Sequence, residues 1–346
     1  MAKIGVGFAA IDHWYSAFPA MQNALDNERT QVVAIAHPDE GRLADAASAA
    51  GDVTATQDWR EVVERDDVQI VVNLASSEKI AEISIAAAEA GKHILSGKPL
   101  AMTLDQADGI VEAVRANDVL FMAFDGYGRL GEPNRSFKQW MDEGAIGSPL
   151  AATMSLLGRL PMPWRNQEEG YSWWIDPQRA PGGAWIDHAI YQVDTLRYLF
   201  GSEVVRISGE IGNLVHKNLG LEDWGRALLR FEGGQIATVE DTWGSPPGGG
   251  GALTEIVGTK GMIRTHTRTG KLELLGSFGA EGWIERELPS RGPFTVIDHL
   301  LECMDEGKDP VSPVENNRAN LAVCLAFYEA AKEHKVVNLG RQWISN

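Results

Sequence analysis

Cysteine is nearly missing from this chain, with only Cys303 and Cys324 in 346 residues. Both sit in apolar stretches of helical pattern, so they read as free buried thiols; this excludes a disulfide scaffold and suits a reducing compartment. Basic residues are also short. Lys and Arg total 31 against 48 Asp and Glu, and a net charge of −17 repels phosphate backbones and anionic lipid surfaces. No nucleic acid and no membrane is therefore expected as a partner. No apolar run approaches about 18 residues, and the opening MAKIGVGFAAIDHW lacks a basic region followed by an apolar run and a small-residue cleavage site. The chain reads as soluble and cytoplasmic. No HxH, HExxH or paired CxxC spacing occurs, so no metal site is expected.

What is present divides at about residue 124. A length of 346 residues favours about two domains, and an apolar fraction of 44% excludes disorder. Up to Phe124 the runs KIGVGF, QVVAIA, QIVVNLA, KHILS and VLFMAF read as strands separated by amphipathic segments. Strands alternating with helices imply right-handed crossovers and a doubly wound parallel sheet of Rossmann type, with ligand at the carboxyl ends of its strands. Residues 1–124 are thus expected to bind a dinucleotide. From Asp125 the pattern changes: a helix through SFKQWMDEG ends at Gly144, and then PLAATMSLLG, VVRISGEIG, GRALLRFEGG, QIATVEDTW, LTEIVGT and KLELLG read as strands. Residues 125–346 are expected to form an α+β domain with a mostly antiparallel sheet, which would bind substrate and mediate oligomerisation. GSPPGGGG, from Gly244 to Gly251, reads as a mobile loop, either a connector or an active-site lid. FTVIDHLLECMDEG and NNRANLAVCLAFYEAAKEH read as amphipathic helices.

Gly5-Val6-Gly7 followed by Ala10 superficially fits GxGxxA, but such glycines matter only in the turn between strand and helix. A strand from Lys3 to Phe8 would bury both. The turn would then run from Ala9 to His13, using small Ala9 and Ala10, with Asp12 as N-cap of a helix starting near His13. The second strand ends at His37, where an acid for a ribose diol is usual, with Asp39 two residues on. A 2′-phosphate is repelled less by His37 than by a carboxylate, and Arg42 lies within sequence reach, although a solvated helix arginine is the simpler reading. NAD and NADP both remain open, with a slight preference for NADP.

Three stretches, IAAAEAGKHILSGKPLAMTLDQA, MDEGAIGSPLAATM and APGGAWIDHAIYQVDTLRYLFG, together resemble the Gfo/Idh/MocA oxidoreductases, which are sugar, inositol and related polyol dehydrogenases. FPAM in the first helix, IVGTKGMI and EAAKEHKVVNL extend the likeness over nearly the whole chain. The family ends its fifth Rossmann strand with EKP, whose lysine lies by the nicotinamide; this chain reads Gly97-Lys98-Pro99. The family pattern GGGxLxDxGxHxxD becomes Gly182 to Asp194, with Asp187 kept and Tyr191 in the histidine position, as in a subset resembling glucose–fructose oxidoreductase. The resemblance implies Lys98, Asp187 and Tyr191 as catalytic residues. Cofactor contacts are expected from Ala9, Ala10, Asp12, His13, His37, Ser76, Lys98 and Pro99. It also implies a homodimer or homotetramer joined through the uncovered face of the second sheet.

Helical phase sorts PGGAWIDHAIYQVD independently. At about 100° per residue Asp187 and Tyr191 differ by about 40° and Asp194 lies about 20° from Asp187, while His188 is about 100° away. His188 is therefore expected to pack or cap. Oxidising an alcohol requires a base for its proton and a cofactor for its hydride. A free phenol, with a pKa of about 10, is a poor base at neutral pH. Lys98 at about 4 Å would favour phenolate by about 4 kcal/mol at an effective dielectric near 20, roughly three pKa units. Tyr191 and Lys98 would then titrate as a pair, and either accepts the proton first. Asp187 would orient the hydroxyl or Lys98. The irregular segment PMPWRNQEEGYSWWIDPQRA is expected to shape a pocket for a polyol or sugar, with Trp164, Trp173 or Trp174 offering apolar faces and Arg165 a charge. Tyr127 and Asp194 are further substrate-binding candidates. The rival readings are an oxidoreductase, lyase or hydrolase whose cofactor never leaves, and a non-catalytic sugar- or nucleotide-sensing regulator.

Overall fold

The computed structural model describes residues 3–165, 167, 172–276, 282–287 and 295–340. They form two compact units that are not contiguous in sequence. The first comprises Met1–Tyr127, Met162–Pro181 and Pro293–Arg318, and the second Gly128–Pro161, Gly182–Gly292 and Ala319–Asn346.

In the first unit, β1 (Ile4–Ala10), α1 (Trp14–Asp26), β2 (Thr30–Ala36), α2 (Glu40–Ala50), β3 (Thr54–Thr56), α3 (Trp59–Val63), β4 (Ile70–Asn73), α4 (Ser77–Glu89), β5 (His93–Ser96), α5 (Leu104–Ala116) and β6 (Phe121–Ala123) alternate as expected. The sheet order is β3-β2-β1-β4-β5-β6, all parallel. Its central strands are buried on both faces and rich in apolar residues; every residue of β4 is buried, whereas the edge strand β3 is exposed or half-exposed. Gly5 and Gly7 lie within β1 for a packing reason. A Cβ on Gly5 would stand 1.7 Å from the Asp67 carbonyl oxygen, and one on Gly7 would stand 2.6 Å from a Val62 methyl.

Two details correct the sequence reading of the first turn. β1 continues through Ala10, so Ala9 and Ala10 close the strand, and the connection is only Ile11 to His13. α1 starts at Trp14 behind His13, which makes no side-chain capping bond, so Asp12 is not its N-cap. The short β3 and α3 were not expected from the sequence.

In the second unit, α6 (Glu132–Asp142) leads to β7 (Pro149–Leu157), and α7 (Ala184–Phe200) precedes β8 (Val204–Gly212), β9 (Trp224–Phe231), β10 (Ile236–Thr242), β11 (Gly251–Gly258), β12 (Met262–His266), β13 (Lys271–Leu275) and β14 (Trp283–Glu287). The nine-stranded order is β14-β13-β12-β11-β7-β10-β9-β8-β15, where β15 is Val337–Asn338. Only β7 and β10 pair in parallel. This is the mostly antiparallel sheet that the sequence implies, with β12, β14 and β15 in addition. α7 packs on one face, over β7, β9 and β10, where Ala152, Leu229, Ala237, Val239 and Ile256 are buried. The opposite face leaves Leu228, Ile236 and Val257 exposed. Residues 243–250 connect β10 to β11, and Arg268 donates hydrogen bonds to the carbonyls of Gly249 and Gly250.

α8 (Val296–Glu306) belongs to the first unit, where Asn23 and Asn27 donate to the Asp298 carboxylate at 2.9 and 2.5 Å. α9 (Val314–Lys332) is assigned to the first unit up to Arg318 and to the second beyond it. Cys303 and Cys324 are buried in these two helices, with no disulfide among the described residues. Among the described residues no helix is long and apolar enough to cross a membrane, and no cluster of metal-ligating side chains occurs.

Candidate active site

In the first unit Lys98 follows the end of β5 in the turn Gly97-Lys98-Pro99, whose Lys98–Pro99 bond is cis. It is 1% exposed, with Nζ 4.2 Å from the centroid of the Trp174 ring. An aromatic face beside an ammonium compensates part of its lost hydration. Trp174 is pinned on both sides. Its indole N–H donates to Tyr15 Oη at 2.7 Å, and its ring stacks on Trp173 at 4.3 Å. Tyr15 Oη in turn lies 3.4 Å from His13 Nε2, and the His13 ring lies 5.1 Å from Trp173. Trp174, expected to offer a face to substrate, thus lies against the lysine.

A second cluster runs along the carboxyl ends of β2, β1 and β4. His37, directly after β2, has Nε2 3.6 Å from Asp12 Oδ1, while its Nδ1 accepts from the Asp39 amide at 3.0 Å. Asp12 also accepts from the Ser76 amide at 3.3 Å. Arg179 reaches three partners: Nε donates to Glu78 Oε1 at 2.9 Å, and Nη2 donates to Ser76 Oγ at 2.7 Å and Asp12 Oδ1 at 3.4 Å. Burial pushes the Asp12 carboxyl up, but His37, Arg179 and the Ser76 amide outweigh it and hold that carboxyl below its ordinary value.

Other candidates fall elsewhere in this unit. Arg42 stands 5.0 Å over the Trp164 ring, so it is not the freely solvated arginine that the sequence favours. Trp164 donates to Asp45 Oδ2 at 2.9 Å. Arg165 lies 4.2 Å over the Phe18 ring and 3.9 Å from Asp45, an arrangement that commits it to α1 and α2. Tyr127 is half-buried, its ring 6.5 Å from Phe124. Asn166 and residues 168–171 of the expected pocket segment, and Phe294 before α8, lie outside the described residues.

In the second unit the glycine pair works by close approach. A Cβ on Gly182 would stand 1.9 Å from Tyr328 Oη, and one on Gly183 would stand 2.1 Å from the Glu222 carbonyl oxygen. α7 therefore begins at Ala184 with Glu222 seated on its N-terminus: both carboxylate oxygens accept from the Gly183 amide at 3.0 Å, and Oε1 accepts from the Trp185 amide at 3.1 Å and from Tyr328 Oη at 2.7 Å. Burial raises the Glu222 carboxyl above its ordinary value despite these donors, and burial beside Glu222 raises the Tyr328 phenol well above its own.

Asp187 falls in the first turn of α7, as expected, and Tyr191 one turn later on the same side of the helix. Asp187 Oδ2 accepts from the buried Trp243 indole at 2.9 Å and lies 3.3 Å from His188 Nδ1. The ring of the half-buried Tyr191 is 6.3 Å from that of His188. Asp194 is fully buried. Its two oxygens accept from Arg129 at 2.8 Å each, and Oδ1 also accepts from Asn320 at 2.9 Å, so this carboxylate is committed to α7 and its neighbours and not offered to substrate. Sequence reasoning missed Arg179, Trp243, Glu222 and Tyr15; only the acid pair in LEDWG hinted at any of them.

A nicotinamide dinucleotide fits the first unit. Buried side-chain atoms without a hydrogen-bond partner among the described residues sit where such a ligand would lie: His37 Nε2 after β2, Ser77 Oγ at the start of α4 and Ser96 Oγ at the end of β5. Ala9, Ala10 and His13 are buried along the same edge.

Residues 1–124 match the model described as "Oxidoreductase family, NAD-binding Rossmann fold", which makes the first unit the nucleotide-binding part of an oxidoreductase. Residues 134–264 match the "GFO/IDH/MocA C-terminal domain". A 1,5-anhydro-D-fructose reductase from Ensifer adhaerens is 30% identical over 78% of this chain and 80% of its own. A myo-inositol 2-dehydrogenase from Thermotoga maritima is 28% identical over 88% and 90%. The chain belongs to the Gfo/Idh/MocA oxidoreductase family. A levoglucosan dehydrogenase structure in complex with NADH and levoglucosan shares the fold, with a TM-score of 0.86 and 22% identity over 98% of this chain and 100% of that one.

Proposed function

We propose that this protein is a nicotinamide-dependent dehydrogenase that oxidises a CH–OH group of a sugar, an inositol or a sugar derivative. The observation that carries the reading is the placement of chemistry-bearing side chains on rigid elements: Lys98 at the end of β5, and Asp187 with Tyr191 on the first two turns of α7. The relatives support the substrate class, since the named ones act on inositol and on an anhydro sugar.

When bound, nicotinamide supplies the hydride acceptor. Ser76, Ser77, Ser96 and His37 would hold the dinucleotide along the strand ends. Lys98 on the first unit and Tyr191 on the second are the residues that would take part in accepting the hydroxyl proton. Asp187, held by the Trp243 indole, would orient the reacting hydroxyl. NAD is the better fit than NADP. The cation offered to a 2′-phosphate, Arg42, is engaged with Trp164, and a carboxylate, Asp12, stands beside His37. This reading differs from the slight preference for NADP that the sequence suggests. The exposed Leu228, Ile236 and Val257 support self-association through the open face of the second sheet.

The test is a scan of polyols and aldoses with NAD and with NADP, followed at 340 nm, together with Tyr191→Phe. Turnover with at least one polyol or sugar, lost in Tyr191→Phe while cofactor affinity persists, supports the reading. Turnover within a few-fold of wild type in that variant removes Tyr191 from it. Cofactor binding without turnover on any substrate overturns it in favour of a sensor, and a nicotinamide retained through purification favours a cofactor that never leaves.

A further inference from the structure

We propose that Arg179 is the residue that receives the cofactor's diphosphate. This rests on the dehydrogenase reading above. In the order β3-β2-β1-β4-β5-β6 the winding reverses between β1 and β4, and in such sheets an anionic ligand lies outside the carboxyl ends of the strands at that reversal. Dinucleotide sites usually meet the diphosphate there with glycine-rich backbone amides. The connection here, Ile11-Asp12-His13, has no glycine and brings a carboxylate. An acid in that turn opposes a diphosphate unless a cation accompanies it.

Arg179 is that cation. It stands across the reversal, bonded to Asp12 from the loop after β1 and to Ser76 and Glu78 from the start of α4, which follows β4. The bonds use Nε and Nη2. Nη1 has no hydrogen-bond partner among the described residues, and the side chain is 37% exposed. A guanidinium has five N–H donors in a planar fork suited to phosphate oxygens, so the carboxylates pre-aim it without exhausting it. His37 Nε2, near the same loop, has no hydrogen-bond partner among the described residues, although it lies 3.6 Å from Asp12 Oδ1. Arg179 belongs to the ordered turn after Trp173 and Trp174, whose rings are stacked and pinned, so its aim is set by a rigid neighbour.

The experiment is isothermal titration of NADH, ADP-ribose and adenosine into the full-length wild type, Arg179→Met, Arg179→Lys and Glu78→Gln. Adenosine lacks the diphosphate and ADP-ribose lacks the nicotinamide, so the pair isolates the diphosphate. Arg179→Met should weaken ADP-ribose at least ten-fold more than adenosine, Arg179→Lys should restore part of the loss, and Glu78→Gln, which removes a competing carboxylate, should tighten ADP-ribose about threefold. A smaller difference between ADP-ribose and adenosine in Arg179→Met overturns the assignment. If that variant does not fold, Arg179→Lys and Glu78→Gln decide by sign, and weakening in Glu78→Gln overturns it. Wild-type protein that binds neither NADH nor ADP-ribose overturns the dehydrogenase reading and this assignment together, whereas normal wild-type binding with an unaltered Arg179→Met overturns the assignment alone.

Discussion

Glu222 makes the second unit's stability depend on pH in an unusual direction. Its carboxyl is 7% exposed and is approached by three donors, the Gly183 and Trp185 amides and the Tyr328 hydroxyl. Truncation to alanine strands all three. At about 1–3 kcal/mol per buried unsatisfied group, and with water recovering part of it, Glu222→Ala should lose about 3–5 kcal/mol. Glu222→Gln keeps the shape and one acceptor, so it isolates the charge. Burial raises the folded-state carboxyl above its ordinary value. The folded protein therefore holds this proton more tightly than the unfolded chain, whose glutamate titrates near 4.3. The wild-type contribution is complete below that value and is lost as pH rises through the raised folded value. Urea unfolding of wild type and Glu222→Gln at stepped pH measures it. The variant should gain on wild type as pH increases across that window. A stability difference that stays flat, or moves the other way, refutes the reasoning.

Three further outcomes follow from geometry. Gly5→Ala places a methyl 1.7 Å from a backbone oxygen, and should lower stability by about 1–3 kcal/mol or more in denaturant titration. Asp194→Ala leaves Arg129 and Asn320 without their buried partner and should cost about 3–5 kcal/mol, read as a lowered urea midpoint. Trp174→Ala uncovers Lys98, so trinitrobenzenesulfonate should label that amine several-fold faster by peptide mapping; equal rates would mean that the indole does not shield it.

The parallel sheet was legible because buried strands such as QIVVNLA carry unbroken apolar runs, and the α7 face was legible because helical phase is fixed by the peptide geometry. β3 escaped because TAT is three residues long, exposed or half-exposed, and has no apolar signal. β14 escaped because WIERE is mostly charged and sits at the sheet edge. The end of β1 was misplaced by two residues because alanine suits a strand as well as a turn. Phase put Asp194 on the same face as Asp187 but carried no information about Arg129, which approaches from another element. Arg179, Glu222 and Trp243 lie far along the chain from the residues they hold, and only the fold brings them there.

The single parallel pair in the nine-stranded sheet bears on how the protein is made. β7 is synthesised early and lies at the centre, yet its partners are β10 and β11, so the chain must run from Leu157 to Ile236 before β7 meets the first of them and to Gly251 before it meets the second. No hairpin can nucleate there, because a parallel neighbour requires a crossover. Insertion of β7 is governed by long-range loop closure and should be slow beside the local antiparallel pairs β8-β9-β10 and β11-β12-β13-β14. A nascent chain paused before β11 carries β7 with one bare edge, the kind of template on which chains aggregate, which makes this stretch of translation the interval when a chaperone matters most.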